Sequence, residues 1–122
     1  MAQFGKKSKA TLATCDISIQ AVLQEAIKEY DFSVIWGYRD KETQNRVFEE
    51  GNSQLQWPRS KHNRLPSAAC DIIPYPDGFG ANTAEFYRMA TYVLAAASRI
   101  GVSIKWGGHW KDFQDLAHFE LR

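Results

Sequence analysis

The sequence predicts a single α+β domain, residues 1–122, in which helices pack on one side of a small, mainly antiparallel sheet. The chain has 122 residues, enough for one hydrophobic core but not for two. Segments with helical spacing alternate with short β-branched and aromatic segments, a pattern that also fits a parallel α/β sheet. The last two short segments are separated by a brief loop, which favours an antiparallel pair and therefore the α+β class.

The first half of the chain predicts two helices and one strand. The first dozen residues show no periodic pattern and are expected to be irregular. Asp16 can cap a helix whose apolar residues follow the i, i+3, i+4 spacing. Residues Phe32–Trp36 are β-branched and aromatic, which predicts a strand that Gly37 ends. Asp40 can cap a second helix that continues to Glu50.

The second half predicts a long loop, a long helix and three strands. Residues 52–66 are polar and contain two prolines, and loops of this length inside a compact domain are often functional. Asn82, with Glu85 three residues later, forms a capping-box pattern before a helix over Thr83–Ile100. The predicted strands of this half cover residues 68–73, 102–106 and 117–121.

Composition and charge exclude several classes of protein. The formal net charge is +1, whereas nucleic-acid binders usually carry a marked basic excess. No segment approaches the ~18 consecutive apolar residues of a membrane-spanning helix. The two cysteines are too few for a disulfide framework, so reduced thiols are expected. The first sixteen residues contain lysines without a following apolar run, which argues against a secretory signal and for synthesis in the cytoplasm. We expect a monomer that neither binds nucleic acid nor inserts into a membrane.

Two histidines and one aspartate could together hold a catalytic metal ion. His62 lies at the end of the predicted loop, Asp71 inside a strand and His118 inside the last strand. Catalytic zinc sites use three such protein ligands and leave the fourth position to water, whose pKa falls to about 7. The spacing alone leaves an alternative open: a surface histidine, an aspartate paired with an arginine, and a strand histidine with satisfied hydrogen bonds.

The alternation of side chains along a strand limits which neighbouring residues could also bind the metal or support its ligands. Cys70 and Asp71 point to opposite faces, which argues against Cys70 as a ligand beside Asp71. His118 and Glu120 share one face, so Glu120 either orients His118 or pairs with a nearby arginine. Asp115, three residues before His118, can reach the same metal site from the preceding loop.

A set of short motifs runs through nearly the whole chain in a characteristic order. The motifs are Gly37-Tyr38-Arg39 with Gln44, Gly51-x-Ser53, Ser60-x-His62, Pro66-Ser67-x-Ala69-x-Asp71, Trp106-Gly107-Gly108 and Asp115-x-x-His118-Phe119-Glu120. Their combination resembles the VanY-type zinc peptidases, which include D-alanyl-D-alanine carboxypeptidases and the L-alanyl-D-glutamate endopeptidases of phage endolysins. The resemblance implies a compact α+β fold of the hedgehog and DD-peptidase type.

The resemblance also implies roles for individual residues. His62, Asp71 and His118 would bind one zinc ion per chain. Asp115 would act as the general base, at a position where many members have glutamate. Arg39 would polarise the scissile carbonyl and stabilise the oxyanion. The separation of His62 and Asp71 is longer than in the commoner form of the motif, which indicates a variant of the connecting loop.

Three further residues are predicted to contact the substrate. Ser53 and Ser60 lie in the predicted loop, where they could instead hold the loop geometry. His109 follows the Gly107-Gly108 turn and could instead be a solvent-exposed turn residue.

The resemblance implies a phage endolysin that cleaves the L-Ala–D-Glu bond of the peptidoglycan stem peptide with metal-activated water. Such an enzyme would be made in the host cytoplasm and would act on the cell wall after release by a separate membrane-permeabilising protein. One alternative is a D-Ala-D-Ala carboxypeptidase or dipeptidase of the same mechanism. Another is a non-catalytic phage structural module that binds the wall.

Overall fold

A four-stranded antiparallel sheet organises the fold of residues 2–122, which the computed structural model describes. The helices are α1 (Lys6–Leu12), α2 (Ile17–Ala26), α3 (Lys41–Glu49) and α4 (Thr83–Ile100). The strands are β1 (Phe32–Trp36), β2 (Ala69–Pro74), β3 (Ile104–Trp106) and β4 (His118–Leu121). The predicted α+β class is therefore confirmed, and the parallel α/β alternative is wrong.

The strand order places distant parts of the chain side by side. The sheet has the order β1-β2-β4-β3, and each neighbouring pair is antiparallel. In the register of the central strand, Asp71 lies opposite Trp36 on one side and His118 on the other. Because β4 inserts between β2 and β3, the last strand of the chain is a direct neighbour of the aspartate.

The two faces of β2 have opposite characters. Cys70 and Ile72 are completely buried in the hydrophobic core, whereas Asp71 points to the other face. Helices α2 and α4 cover the apolar face and contribute about half of the core residues. Their fully buried apolar side chains include Ile19, Val22, Leu23, Met89 and Val93. The core therefore holds the sheet from one side and leaves the other side free for polar groups.

The expectation that the first dozen residues are irregular is wrong, because Lys6–Leu12 form helix α1. Ser8 and Leu12 are the buried residues of this helix, and its lysines are exposed. The Ser8 hydroxyl accepts a hydrogen bond from the backbone N–H of Val34 at 3.0 Å. A helix of seven residues is too short to show a clear apolar period, and packing against β1 stabilises it.

The longer helices begin where their capping residues predict. The side chains of Asp16, Asp40 and Asn82 each accept a hydrogen bond from a backbone N–H in the first turn of the following helix. Gly101 ends α4 with a φ of 78°, a left-handed conformation that glycine adopts without strain. No helix within residues 2–122 has the length and apolar character needed to cross a membrane.

Candidate active site

Three buried polar side chains converge on the face of the sheet opposite the core. One nitrogen of His62, one nitrogen of His118 and a carboxylate oxygen of Asp71 all lie within 4.8 Å of one another. His62 Nε2 is 3.3 Å from Asp71 Oδ1, and His118 Nδ1 is 3.0 Å from the same oxygen. The structure therefore brings together the three side chains that the sequence analysis singled out as metal ligands.

A short capped turn carries His62. The turn is a 3-10 helix over Lys61–Asn63, and the Ser60 hydroxyl accepts the backbone N–H of His62 at 3.1 Å. His62 Nδ1 lies 2.7 Å from the carbonyl oxygen of Gly37. Because a carbonyl only accepts, Nδ1 carries the proton and donates it, which leaves Nε2 with a free lone pair.

The Nε2 atom of His62 is the observation that best tests the site for a metal. It is buried and has no hydrogen-bond partner among residues 2–122, although it faces Asp71. Buried polar atoms are nearly always satisfied, so an unpartnered lone pair here requires an explanation. A cation between the two histidines and Asp71 provides one, and two imidazoles with one carboxylate form a donor set that zinc accepts.

His118 is oriented through its other nitrogen. Its Nε2 lies 2.8 Å from Glu120 Oε1, and Lys61 Nζ lies 3.0 Å from the other Glu120 oxygen. Glu120 therefore keeps a proton on Nε2 of His118 and leaves Nδ1 directed at Asp71. Of the two roles considered for Glu120, the structure shows the one that orients His118, and its cationic partner is a lysine.

The charges of this cluster shift several pKa values. Burial acts to lower the pKa of His118, but hydrogen bonds with Asp71 and Glu120 outweigh it and raise the pKa to about 9. Burial acts to raise the pKa of Asp71, but the hydrogen bond with His118 and the close contact with His62 hold it well below its usual range. His118 is therefore protonated at neutral pH when no metal is present, and a metal ion must displace that proton.

Arg39 reaches the cluster from the segment after β1. Its Nη2 donates to Asp71 Oδ2 at 2.9 Å, and both side chains are buried. Its Nη1 lies 3.4 Å from Gln44 Oε1, and its guanidinium stacks 4.8 Å from the centre of the Trp36 ring. Arg39 also lines the open cleft, so a fixed cation is available to a negative charge that develops there.

Asp115 lines the same cleft from the loop that precedes β4. Burial, together with the negative charge of Asp71, raises the pKa of its carboxyl group. Its Oδ1 accepts the backbone N–H of Ala117 at 3.2 Å. The backbone of Asp115 packs on Gly107, where a Cβ would lie 2.3 Å from the Asp115 carbonyl oxygen. The glycine of the Trp-Gly-Gly motif therefore permits the close approach that positions Asp115.

An open cleft of about 550 Å³ gives access to these groups. Ser53 and Ser60, both predicted to contact substrate, line it. His109, the third such residue, is exposed and lies outside the lining, with its ring 4.9 Å from that of Trp106. The structure thus brings Ser53 and Ser60 to the site and places His109 elsewhere.

Two residues of the site carried little weight in the sequence analysis. Gln44 is completely buried and contacts both Arg39 and the loop that forms one side of the cleft. Its spacing of three residues from the buried Val47 on helix α3 was the available signal. Phe113 is exposed, lines the cleft and has a φ of 53°, which is rare for a bulky residue. No sequence pattern indicated it.

Two comparisons with known proteins match nearly the whole chain. The family model described as phage L-alanyl-D-glutamate peptidase matches residues 1–120. Among solved structures, the L-Ala D-Glu endopeptidase ChiX of Serratia marcescens is similar, with a TM-score of 0.83 and 28% sequence identity. That alignment covers 98% of this chain and 90% of the Serratia chain. The similarity therefore includes the sheet and the two loops that carry site residues, namely residues 52–66 and the loop that precedes β4.

Proposed function

The chain belongs to the phage L-alanyl-D-glutamate peptidase family and is a peptidoglycan peptidase, and we propose that it acts as a phage endolysin with one zinc ion per chain. The bond that it hydrolyses is the one between L-alanine and D-glutamate in the stem peptide. The single observation that carries the proposal is the convergence of His62, Asp71 and His118 at the base of an open cleft.

His62 Nε2, His118 Nδ1 and the Asp71 carboxylate are the atoms that would hold the zinc ion. The first of these has no hydrogen-bond partner in the described part of the chain, and Glu120 leaves the second free to face the site. Once bound, the ion supplies a Lewis acid and lowers the pKa of water to about 7. Proton transfer and stabilisation of the oxyanion are the roles proposed for side chains of the protein.

Asp115 is the proposed general base. Its carboxylate takes a proton from the attacking water and passes it to the amine of D-glutamate as that group leaves. Burial and the nearby Asp71 raise its pKa, which brings the carboxyl group closer to the pH at which proton transfer is most effective. Because it must be ionised to accept the proton, activity falls when the pH drops below its pKa.

Arg39 is the proposed stabiliser of the oxyanion. Its bond to Asp71 and its stacking on Trp36 hold the guanidinium in one place, so little reorganisation is needed when negative charge develops on the scissile carbonyl. Ser53 and Ser60 are proposed to contact the peptide at the side of the cleft. A contact from His109 stays a prediction that requires the substrate to extend beyond the cleft.

We also propose where the enzyme works. It would be monomeric, with residues 1–122 as one catalytic domain, and its partner would be the stem peptide of the cell wall. It would reach the wall from the host cytoplasm after a separate membrane-permeabilising protein has acted. The membership of a phage peptidase family supports this proposal.

Mass spectrometry of digested peptidoglycan tests the proposal directly. We expect fragments with a new L-alanine carboxyl terminus and a new D-glutamate amino terminus, their loss with a chelator, and their return with added zinc. Released D-alanine would instead support the carboxypeptidase alternative. Wall binding without any cleavage would support the non-catalytic module. Wall clearing that survives Asp115→Ala would remove the catalytic assignment of Asp115.

A further inference from the structure

Among residues 2–122, three arginine or lysine side chains line the cleft, and two of them already have anionic partners. Arg39 pairs with Asp71 at 2.9 Å, and Lys61 pairs with Glu120 at 3.0 Å. Arg59 lines the same cleft, is exposed, and forms no ion pair with any carboxylate of residues 2–122. It is therefore a cation in the cleft whose charge the fold leaves unmatched.

The acidic groups of the cleft show the corresponding pattern. Asp71 and Glu120 are occupied by the pairs just described, whereas Asp115 forms no ion pair within the described part of the chain. The catalytic proposal uses Asp115 for proton transfer and assigns nothing to Arg59. A cleft with one free base and one free cation suits a substrate that carries an anion near the bond being cut.

The backbone around Arg59 is fixed close to the ligand cluster. The N–H of Arg59 donates to the carbonyl oxygen of Gln56 at 2.9 Å, and the N–H of Trp57 donates to Asn45 Oδ1 at 3.1 Å. The next residue, Ser60, caps the turn that carries His62. An anion bound by Arg59 would therefore lie in the same cleft as the ligand cluster.

The chemistry of the substrate supplies such an anion. The nitrogen of the scissile bond belongs to D-glutamate, and glutamate has two carboxyl groups. The peptide chain can continue through only one of them, so the other remains a free carboxylate at neutral pH unless it is amidated. This carboxylate stays on the leaving side of the bond, in the same residue as the reacting nitrogen.

We propose that Arg59 binds this free carboxylate and thereby selects an acidic residue after the scissile bond. The inference rests on the proposed function. A guanidinium can bind a carboxylate through two parallel N–H donors, a geometry that fixes orientation as well as charge. The guanidinium of Arg59 would also offset the electrostatic repulsion between Asp115 and the substrate carboxylate. Without it, this repulsion would weaken the binding of the substrate next to Asp115.

Two matched peptides test the inference. Both contain N-acylated L-alanine joined to D-glutamate that continues through its side-chain carboxyl group, and they differ only in whether the remaining carboxyl group is free or amidated. We expect the unaltered enzyme to cleave the free acid with a kcat/KM about tenfold higher. Arg59→Gln should lower kcat/KM for the free acid about tenfold, mainly through KM, and leave the amide unchanged. Arg59→Lys should retain part of the preference.

Arg64→Gln is the matched control, because Arg64 is also exposed but does not line the cleft. An equal loss on both peptides with Arg59→Gln, or no loss on either, would overturn the inference. Equal cleavage of the two peptides by the unaltered enzyme would also overturn it while leaving the proposed function intact. Failure of the proposed function is distinct: the unaltered enzyme would then cut neither peptide at the L-Ala–D-Glu bond.

Discussion

The strand pair β2–β4 and the loop of residues 52–66 each deliver groups to the same cluster by different means. Asp71 and His118 are partners in the antiparallel ladder, so backbone hydrogen bonds and strand register place them. His62 lies on a short turn of the loop, where the Ser60 hydroxyl accepts its backbone N–H and the Gly37 carbonyl accepts from its Nδ1. Backbone pairing between the strands is enough to position Asp71 and His118, whereas the loop requires specific polar groups to position His62.

Gln44 connects this loop to the rest of the protein. Its Nε2 donates to Ser53 Oγ at 3.0 Å and to the Leu55 carbonyl oxygen at 2.7 Å. Its Oε1 accepts from Asn63 Nδ2 at 3.2 Å and lies near Arg39. All the hydrogen-bonding capacity of the buried Gln44 side chain is thus used to join the loop, the turn and Arg39. The position of His62 on the loop therefore depends on a buried polar residue outside the cleft.

The largest expected effect comes from removing a ligand of either kind. His62→Ala and His118→Ala should each reduce bound zinc from one per chain to nearly none and abolish wall hydrolysis, because each removes one of three donors. Elemental analysis of the purified variants measures this. The third histidine provides the control: His109→Ala should keep its zinc, and zinc loss in that variant would contradict the assigned ligand set.

Removing the base should separate chemistry from metal binding. We expect Asp115→Asn to lower kcat by about 10²- to 10⁴-fold while bound zinc stays unchanged, since Asp115 is proposed to transfer a proton and not to bind the metal. Steady-state kinetics with zinc analysis measures both quantities. Asp112→Asn is a suitable control because Asp112 is exposed in the same loop and does not line the cleft. A similar fall in that control would show that the loop, not the base, was disturbed.

Zinc affinity should depend on pH through the strand-borne histidine. Metal-free His118 has a pKa of about 9 because its charged form is stabilised by Asp71 and Glu120, so it keeps its proton below that pH. Zinc must displace the proton, and its affinity should rise about tenfold per pH unit up to about pH 9. Competition with a chelator of known affinity measures the slope. Glu120→Gln should lower the pH above which the zinc affinity stops rising. A zinc affinity that does not depend on pH between 6 and 8 would refute the mechanism.

The smallest effect is expected from disturbing the support of the loop. Gln44→Ala should lower kcat/KM about tenfold and the free energy of unfolding by about 1–3 kcal/mol, because it leaves buried polar partners unsatisfied. Kinetics and urea unfolding measure the two effects. Gln24→Ala, at an exposed helical glutamine, should change neither. If Gln44→Ala were as active as the unaltered enzyme, the loop would not need this support.

Local signals in the sequence predicted much of the fold. The caps at Asp16, Asp40 and Asn82 located three helices, and apolar spacing supported the first and the last, because capping and burial of one helix face act within a few residues. Helix α1 was missed because its exposed lysines leave too few buried positions to form a pattern. Contact with β1 stabilises helix α1, and β1 lies too far along the chain to contribute to a local sequence pattern.

The pattern of helical and strand segments predicted the α+β class, residue chemistry indicated the candidate ligands, and the order of the motifs predicted the family resemblance. The tertiary structure was needed to show which nitrogen of each histidine faces the site, that Lys61 and Glu120 support His118, and that Arg59 has no ion-pair partner within residues 2–122. The physical reason is that strand alternation tells which face a side chain occupies, whereas its partners depend on strand order. Asp71 meets His118, 47 residues later in the chain, only because β4 inserts beside β2.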